Sequence, residues 1–96
     1  MKYIKISAMW CPYCIIMNKI WKRVKEEYPD ITFTELDLDM DEESENYNIG
    51  DTLPVIIREE NDVEVARLIG EKTYEEVKEF IEEGLRKWKE YYGQYY

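Results

Sequence analysis

Ser7-Ala8-Met9-Trp10-Cys11-Pro12-Tyr13-Cys14 decides the fold, because the spacing of apolar residues changes across it. Before it, over residues 2–9, Ile4, Ile6 and Ala8 alternate with Tyr3, Lys5, Ser7 and Met9, a strand pattern with two distinct faces. After it, Met17, Ile20, Trp21, Val24 and Tyr28 recur on one helical stripe, with Lys19, Lys22, Arg23 and Lys25 spread over the rest. Pro12 suits the first helical position, where its missing N–H costs nothing. Pro29 disfavours helical geometry at Tyr28 and stops the helix there.

Further along, Ile31 to Asp39 reads as a second strand carrying Phe33, Leu36 and Leu38. Asp41 is predicted to cap a short acidic helix over 42–48, since a carboxylate favours a helix N-terminus. Tyr47 and Ile49 are expected to anchor it to the core, and Gly50-Asp51 to make a turn. Thr52-Leu53-Pro54 leads into Val55-Ile56-Ile57, a short apolar strand. Glu60-Asn61-Asp62 is a hairpin turn, and Val63 to Ile69 the strand that pairs back, ended by Gly70. Thr73-x-x-Glu76 is a capping-box pattern. It opens a long helix with the stripe Val77, Phe80, Ile81, Leu85 and Trp88, extending toward Tyr92, with Gly93 as its terminator. The order strand, helix, strand, short helix, strand, strand, helix predicts an α/β domain. Its first strand–helix–strand unit is parallel and right-handed, and one four-stranded mixed sheet is covered by helices.

The motif carries a chemistry. In disulfide exchange the nucleophile is a thiolate, so the attacking cysteine needs a lowered pKa and access to solvent. A helix N-terminus offers unpaired N–H groups and the positive end of a dipole. Cys11 is predicted to occupy that position. Cys14 lies one turn on, on the same face, where it can attack a mixed disulfide at Cys11 and release the reduced partner. The sequence contains no histidine, so the helix terminus and nearby N–H groups must favour the Cys11 thiolate unaided. A pair of packed structural cysteines is the plain alternative. The strand-to-helix setting, with Pro12 inside the motif and Trp10 before it, weighs for redox chemistry.

Composition narrows the rest. The 96 residues suit one compact domain, 1–96, with no repeat and no Gly-, Ser- or Pro-rich linker. A net charge of −9 would be repelled by nucleic acid and by anionic membranes, so neither is expected as a partner. The alternating N-terminus lacks the apolar core of a secretory signal, and no run approaches the ~20 apolar residues of a membrane span. A cytoplasmic location is therefore expected. One C-x-x-C without histidine is too few ligands for structural zinc, so no metal is expected. The acidic run Asp37, Asp39, Asp41, Glu42, Glu43 and Glu45 fails the calcium-loop pattern, which requires glycine at its sixth position and glutamate at its twelfth; Glu42 and Asn48 stand there. It reads as a solvated edge. Of the aromatic end, which carries Trp88, Tyr91, Tyr92, Tyr95 and Tyr96, Trp88 and Tyr92 read as core cover and residues 93–96 as fraying, with docking of a partner or a second subunit by this tail as the alternative.

On these residues the chain resembles the thioredoxin/glutaredoxin superfamily over nearly its whole length, which implies a thioredoxin-like fold. Cys11-Pro12-Tyr13-Cys14 resembles the glutaredoxin active site. Thr52-Leu53-Pro54 resembles the superfamily's Thr-x-Pro loop, which implies a cis Leu53–Pro54 bond, Pro54 against the cysteines, and Leu53 backbone groups that pair with an extended substrate. Trp10, Pro12, Tyr13, Thr52 and Gly70 complete the expected substrate contacts. Trp10 directly before the first cysteine is closer to thioredoxins. Met9 stands where glutaredoxins commonly carry lysine. Ile69-Gly70-Glu71-Lys72-Thr73 keeps one glycine where glutaredoxins have a Gly-Gly-x-Asp-like turn for glutathione. Thioredoxins also bury an aspartate six residues before the first cysteine, with a lysine on the neighbouring strand. Here the charges are exchanged, as Lys5 and Glu35. They are either two solvated strand charges or a proton-relay pair beneath the cysteines that tunes Cys14.

The function expected is thiol–disulfide oxidoreductase, a monomeric enzyme that reduces or exchanges disulfides of protein substrates. Its electron donor would be a reductase or glutathione, and it would hold no cofactor beyond glutathione as co-substrate. One alternative is a glutathione-dependent glutaredoxin using Cys11 alone. The other is a dimeric module sharing an iron–sulfur cluster, since such clusters want four thiolates.

Overall fold

The computed structural model describes the backbone of residues 1–92 and side chains through Glu90. The elements are β1 (Lys2–Ser7), α1 (Pro12–Glu27), β2 (Thr32–Asp37), a 3-10 turn η1 (Glu42–Tyr47), β3 (Val55–Glu60), β4 (Val63–Ile69) and α2 (Tyr74–Tyr92). The predicted terminator Gly93 and the tail 93–96 lie outside the described residues, as do the side chains of Tyr91 and Tyr92. The four strands form one mixed sheet in the order β2-β1-β3-β4. β1 runs parallel to β2 and antiparallel to β3, and β3 antiparallel to β4. The expected α/β, thioredoxin-like architecture is present.

Each helix forms for the reasons its sequence announces. Pro12 stands in the first turn of α1, and Met17, Trp21 and Val24 are buried along its stripe. The capping box of α2 closes both ways. The Glu76 N–H donates to Thr73 Oγ1 (3.2 Å), and the Thr73 N–H to Glu76 Oε1 (3.1 Å). The β3–β4 turn has Asn61 and Asp62 at φ 53° and 64°, the left-handed pair that matches strand twist in a tight hairpin.

Three details depart from expectation. The acidic segment is a 3-10 turn rather than an α-helix, and Asp41 makes no side-chain cap. Its carboxylate instead accepts the Asp37 N–H at 2.7 Å. Six residues with three carboxylates and no apolar stripe give a longer helix nothing to bury. β2 ends at Asp37, not Asp39, because Asp37 Oδ1 accepts the N–H groups of Asp39 and Met40 and turns the chain. β3 runs past Ile57 to Glu60, because its ladder to β4 continues beyond a bulge at Arg58/Glu59.

The sheet is covered on both faces. Tyr3, Ile56, Met17, Trp21, Val24, Val77, Phe80 and Ile81 pack on the side of α1 and α2. Ile4, Ile6, Leu36, Val55 and Ile57 pack on the other, with Leu38, Tyr47 and Ile49 against them and both cysteines in the same cluster. β1 is therefore a central strand buried on both faces, and its alternation does not separate core from solvent. Gly84, which no sequence signal singled out, sits where α2 crosses β1 and β3. A Cβ there would lie 2.2 Å from Tyr3 Oη and 2.8 Å from Arg58 Cδ. Tyr3 is fully buried and its hydroxyl donates to the Ile81 carbonyl, so it has little room to retreat. Gly84→Ala should therefore destabilise by about 1–3 kcal/mol, against the helix propensity of alanine. A lowered urea midpoint would show it; an unchanged or raised midpoint would mean the crossing is looser than its geometry.

Candidate active site

Cys11 is the N-cap of α1. The Cys14 N–H donates to Cys11 Sγ at 3.2 Å, so the sulfur takes one of the donors that a helix start leaves unpaired. That bond strengthens as the sulfur becomes an anion. Both cysteines are free thiols, and Cys11 Sγ also lies 3.9 Å from the Leu53 carbonyl oxygen. Cys11 is only 3% exposed, less open than the sequence leads one to expect. Its access is a groove of about 260 Å³ lined by Trp10, Cys11, Pro12, Tyr13, Asp51, Thr52 and Leu53. Cys14, equally buried, lines a different cleft of about 290 Å³, with Ser7, Ala8, Met9, Ile15, Asn18 and Asp37. Burial pushes the Cys14 thiol up to about 11. The Cys11 side chain adds to this and the Lys5 ammonium opposes it.

The groove's far wall is the loop before β3. The Leu53–Pro54 bond is cis, and Leu53 and Pro54 are buried. Gly70, at φ 92°, donates its N–H to the Pro54 carbonyl at 2.8 Å. A Cβ on Gly70 would meet Thr52 Cγ2 at 3.4 Å, so the glycine braces this loop from behind rather than lining the groove. Arg67 holds the approach to the loop, donating to the carbonyls of Tyr47 (2.5 Å) and Asn48 (3.2 Å). Trp10 is 65% exposed, and its indole N–H donates to Asp39 Oδ2 at 2.7 Å. Met9, Tyr13, Ile15, Ile16 and Met40 are also exposed; Tyr13 shares the Cys11 groove with Trp10, whereas Met9 and Ile15 line the Cys14 cleft. Six of the residues expected around the reactive sulfur, Trp10, Pro12, Tyr13, Thr52, Leu53 and Cys11 itself, thus meet at one groove.

Lys5 is not a solvated strand charge. It is 1% exposed, and β1–β2 register sets it opposite Glu35. Lys5 Nζ lies 3.6 Å from Glu35 Oε1, whose side chain is half exposed. It donates to Asn18 Oδ1 at 2.7 Å and stands 5.6 Å from the Trp21 ring centroid. Burial lowers its pKa and Glu35 opposes the shift. Sequence reasoning missed Asn18. The available signal was its position four residues after Cys14, one turn along the same face of α1.

Comparison with known proteins agrees with this frame. The family model Thioredoxin matches residues 2–83. A thioredoxin of Fasciola hepatica superposes with a TM-score of 0.77 at 23% identity, over 85% of this chain and 78% of that one. The reduced thioredoxin pre-protein of Schistosoma mansoni gives 0.76 at 28% identity, over 85% and 76%. A structure of ferredoxin:thioredoxin reductase in complex with thioredoxin f2 gives 0.76 at 23% identity, over 86% and 76%. Among curated proteins no match to the sequence was found. A helix-capping dithiol in this fold supports thiol–disulfide exchange, and since the family match runs from β1 into α2 across the cysteines and the Thr-x-Pro loop, the chain belongs to the thioredoxin family.

Proposed function

We propose that the chain reduces disulfides of protein substrates by a dithiol route. Cys11, as thiolate, attacks one sulfur of a substrate disulfide. A Cys11–substrate disulfide forms, and the other substrate sulfur leaves with the electron pair and is protonated by solvent. Cys14 then loses its proton and attacks Cys11 Sγ. The Cys11–Cys14 bond forms, the substrate's second sulfur departs as thiolate, and two electrons have passed from the dithiol to the substrate. An external dithiol donor returns them. The thioredoxin f2 captured with ferredoxin:thioredoxin reductase supports a reductase as the class of donor. In the groove an extended segment would run beside Leu53 and pair with its backbone, its apolar side chains against Trp10 and Tyr13.

The observation that carries this reading is that the two sulfurs open onto different cavities. The groove lined by Trp10 and Tyr13 reaches Cys11, and Cys14 lines a separate cleft. Cys14→Ser tests it. The variant should attack a protein disulfide once and remain as a stable mixed disulfide on Cys11, seen as an added substrate mass that external dithiol removes. With a glutathione mixed disulfide as substrate, full turnover by Cys14→Ser would instead favour the one-cysteine glutaredoxin route.

A further inference from the structure

The groove that leads to Cys11 carries charge of one sign. Apart from the Cys11 sulfur, Asp51 is the one ionisable acid among its lining residues, no lysine or arginine lines it, and Asp51 is exposed. Among the described residues its carboxylate has no ion-pair partner. A Cβ built on the preceding residue, Gly50, would meet nothing within 4 Å, so an incoming chain has room beside the carboxylate. The opening to Cys14 has the same sign, with Asp37 in its wall and no cation. Lys5 is buried and lines neither opening. Asp39 stands behind Trp10 and takes the edge of the indole at 2.7 Å, while the ring stays 65% exposed. The nucleophile is itself an anion, and its attack on a disulfide spreads negative charge along the reacting sulfurs. A cation beside them would favour that transition state, and none of the lining residues provides one.

We propose, building on the dithiol reading above, that the substrate itself brings this cation: the segment bound in the Cys11 groove carries an arginine within about two residues of the attacked cysteine, and Asp51 is the residue that selects it. Asp51 lies two residues before Leu53. In that reading the Leu53 backbone pairs with the substrate, so the substrate residue across from Asp51 is two positions from the one across from Leu53. Arginine suits the lining in two ways. Its planar guanidinium engages both oxygens of a carboxylate. Its apolar stem lies along the exposed rings of Trp10 and Tyr13. A glutamate at the same place would set its charge against both Asp51 and the thiolate. The chemical step is the first attack described above. Cys11 Sγ bonds to one substrate sulfur, the substrate S–S bond breaks, and the electron pair leaves on the other sulfur. The arginine stays charged and transfers no proton.

Two short peptides test this, each with one cysteine and each oxidised to its symmetric disulfide, so that the attacked sulfur is unambiguous. They are identical except for arginine or glutamate two residues before and after the cysteine. The readout is the rate at which Cys14→Ser forms the mixed disulfide, followed by mass. Each rate is taken relative to that with a small free thiol, which removes the peptides' own difference in reactivity. The arginine peptide should react about tenfold faster than the glutamate peptide. In the Asp51→Asn background the ratio should fall to about threefold or less. Asp30→Asn makes the same change in net charge at an exposed position past the other end of α1, and should leave the ratio within about twofold of its starting value. The proposal is overturned by equal rates for the two peptides, by a ratio that survives in Asp51→Asn, or by an equal fall in Asp30→Asn. That last result would mean that the net charge of −9, rather than Asp51, sorts the substrates. The readout is the first attack alone. Failure of the dithiol route shows as turnover by Cys14→Ser, whereas failure of this proposal shows as mixed disulfides formed without selectivity.

Discussion

Cys11→Ser is expected to lower disulfide reduction by about a thousandfold or more, to the level of the uncatalysed exchange between donor and substrate. Two features remove any rescue by the remaining sulfur. Cys14 does not line the groove that admits a substrate. Burial also pushes its thiol above the ordinary cysteine range, so little Cys14 thiolate is present at pH 7. Initial rates of protein-disulfide reduction, with folding verified by circular dichroism, measure this. A residual rate within about tenfold of the wild type would mean Cys14 can serve as entry nucleophile and the assignment of roles is reversed.

The largest effect on stability is expected at Trp21. It is 1% exposed on the buried stripe of α1, with its ring edge-on to Phe33 at 5.3 Å between centroids. Trp21→Ala removes the largest fully buried side chain, and such truncations cost about 3–5 kcal/mol. That is a large share of the ~5–15 kcal/mol by which a domain is stable. The same indole lies beside the Lys5 ammonium, so its loss also loosens the floor of the site. Urea unfolding should show a midpoint lowered at unchanged slope. A loss under about 1 kcal/mol would mean that the helix–sheet packing closes over the hole.

Much of this was legible because local chemistry and global packing agree. The change of period at the cysteines, Pro12 and Pro29 at the ends of α1 and the Thr73/Glu76 box each specify a boundary by a local rule, and each stands where the sequence puts it; the hairpin turn is one residue tighter than Glu60-Asn61-Asp62, with Glu60 paired in β3. The cis Leu53–Pro54 bond came from resemblance alone, since no local rule requires it. What was not legible depends on the partners of a strand rather than on the strand. Lys5 alternates with Ile4 and Ile6 as a solvent-facing residue would, and only the central place of β1 buries both faces. Arg58 and Glu59 are buried for the same reason on β3, inside the sheet between β1 and β4. Gly84 reads as a weak point in a helix until the crossing over Tyr3 shows why no side chain fits. Asn18 reads as a solvated helix side chain until the Lys5 ammonium of β1 is found against its amide oxygen.

The central claim is a division of labour between two sulfurs, and competitive alkylation of the fully reduced protein at pH 7 tests it most directly, with each site followed by mass mapping. Cys11 should be modified first, faster than Cys14 by about a hundredfold or more, since it lines the groove that admits a reagent while burial favours the thiol form of its neighbour. Equal labelling of the two sites, or Cys14 reacting first, would contradict the account.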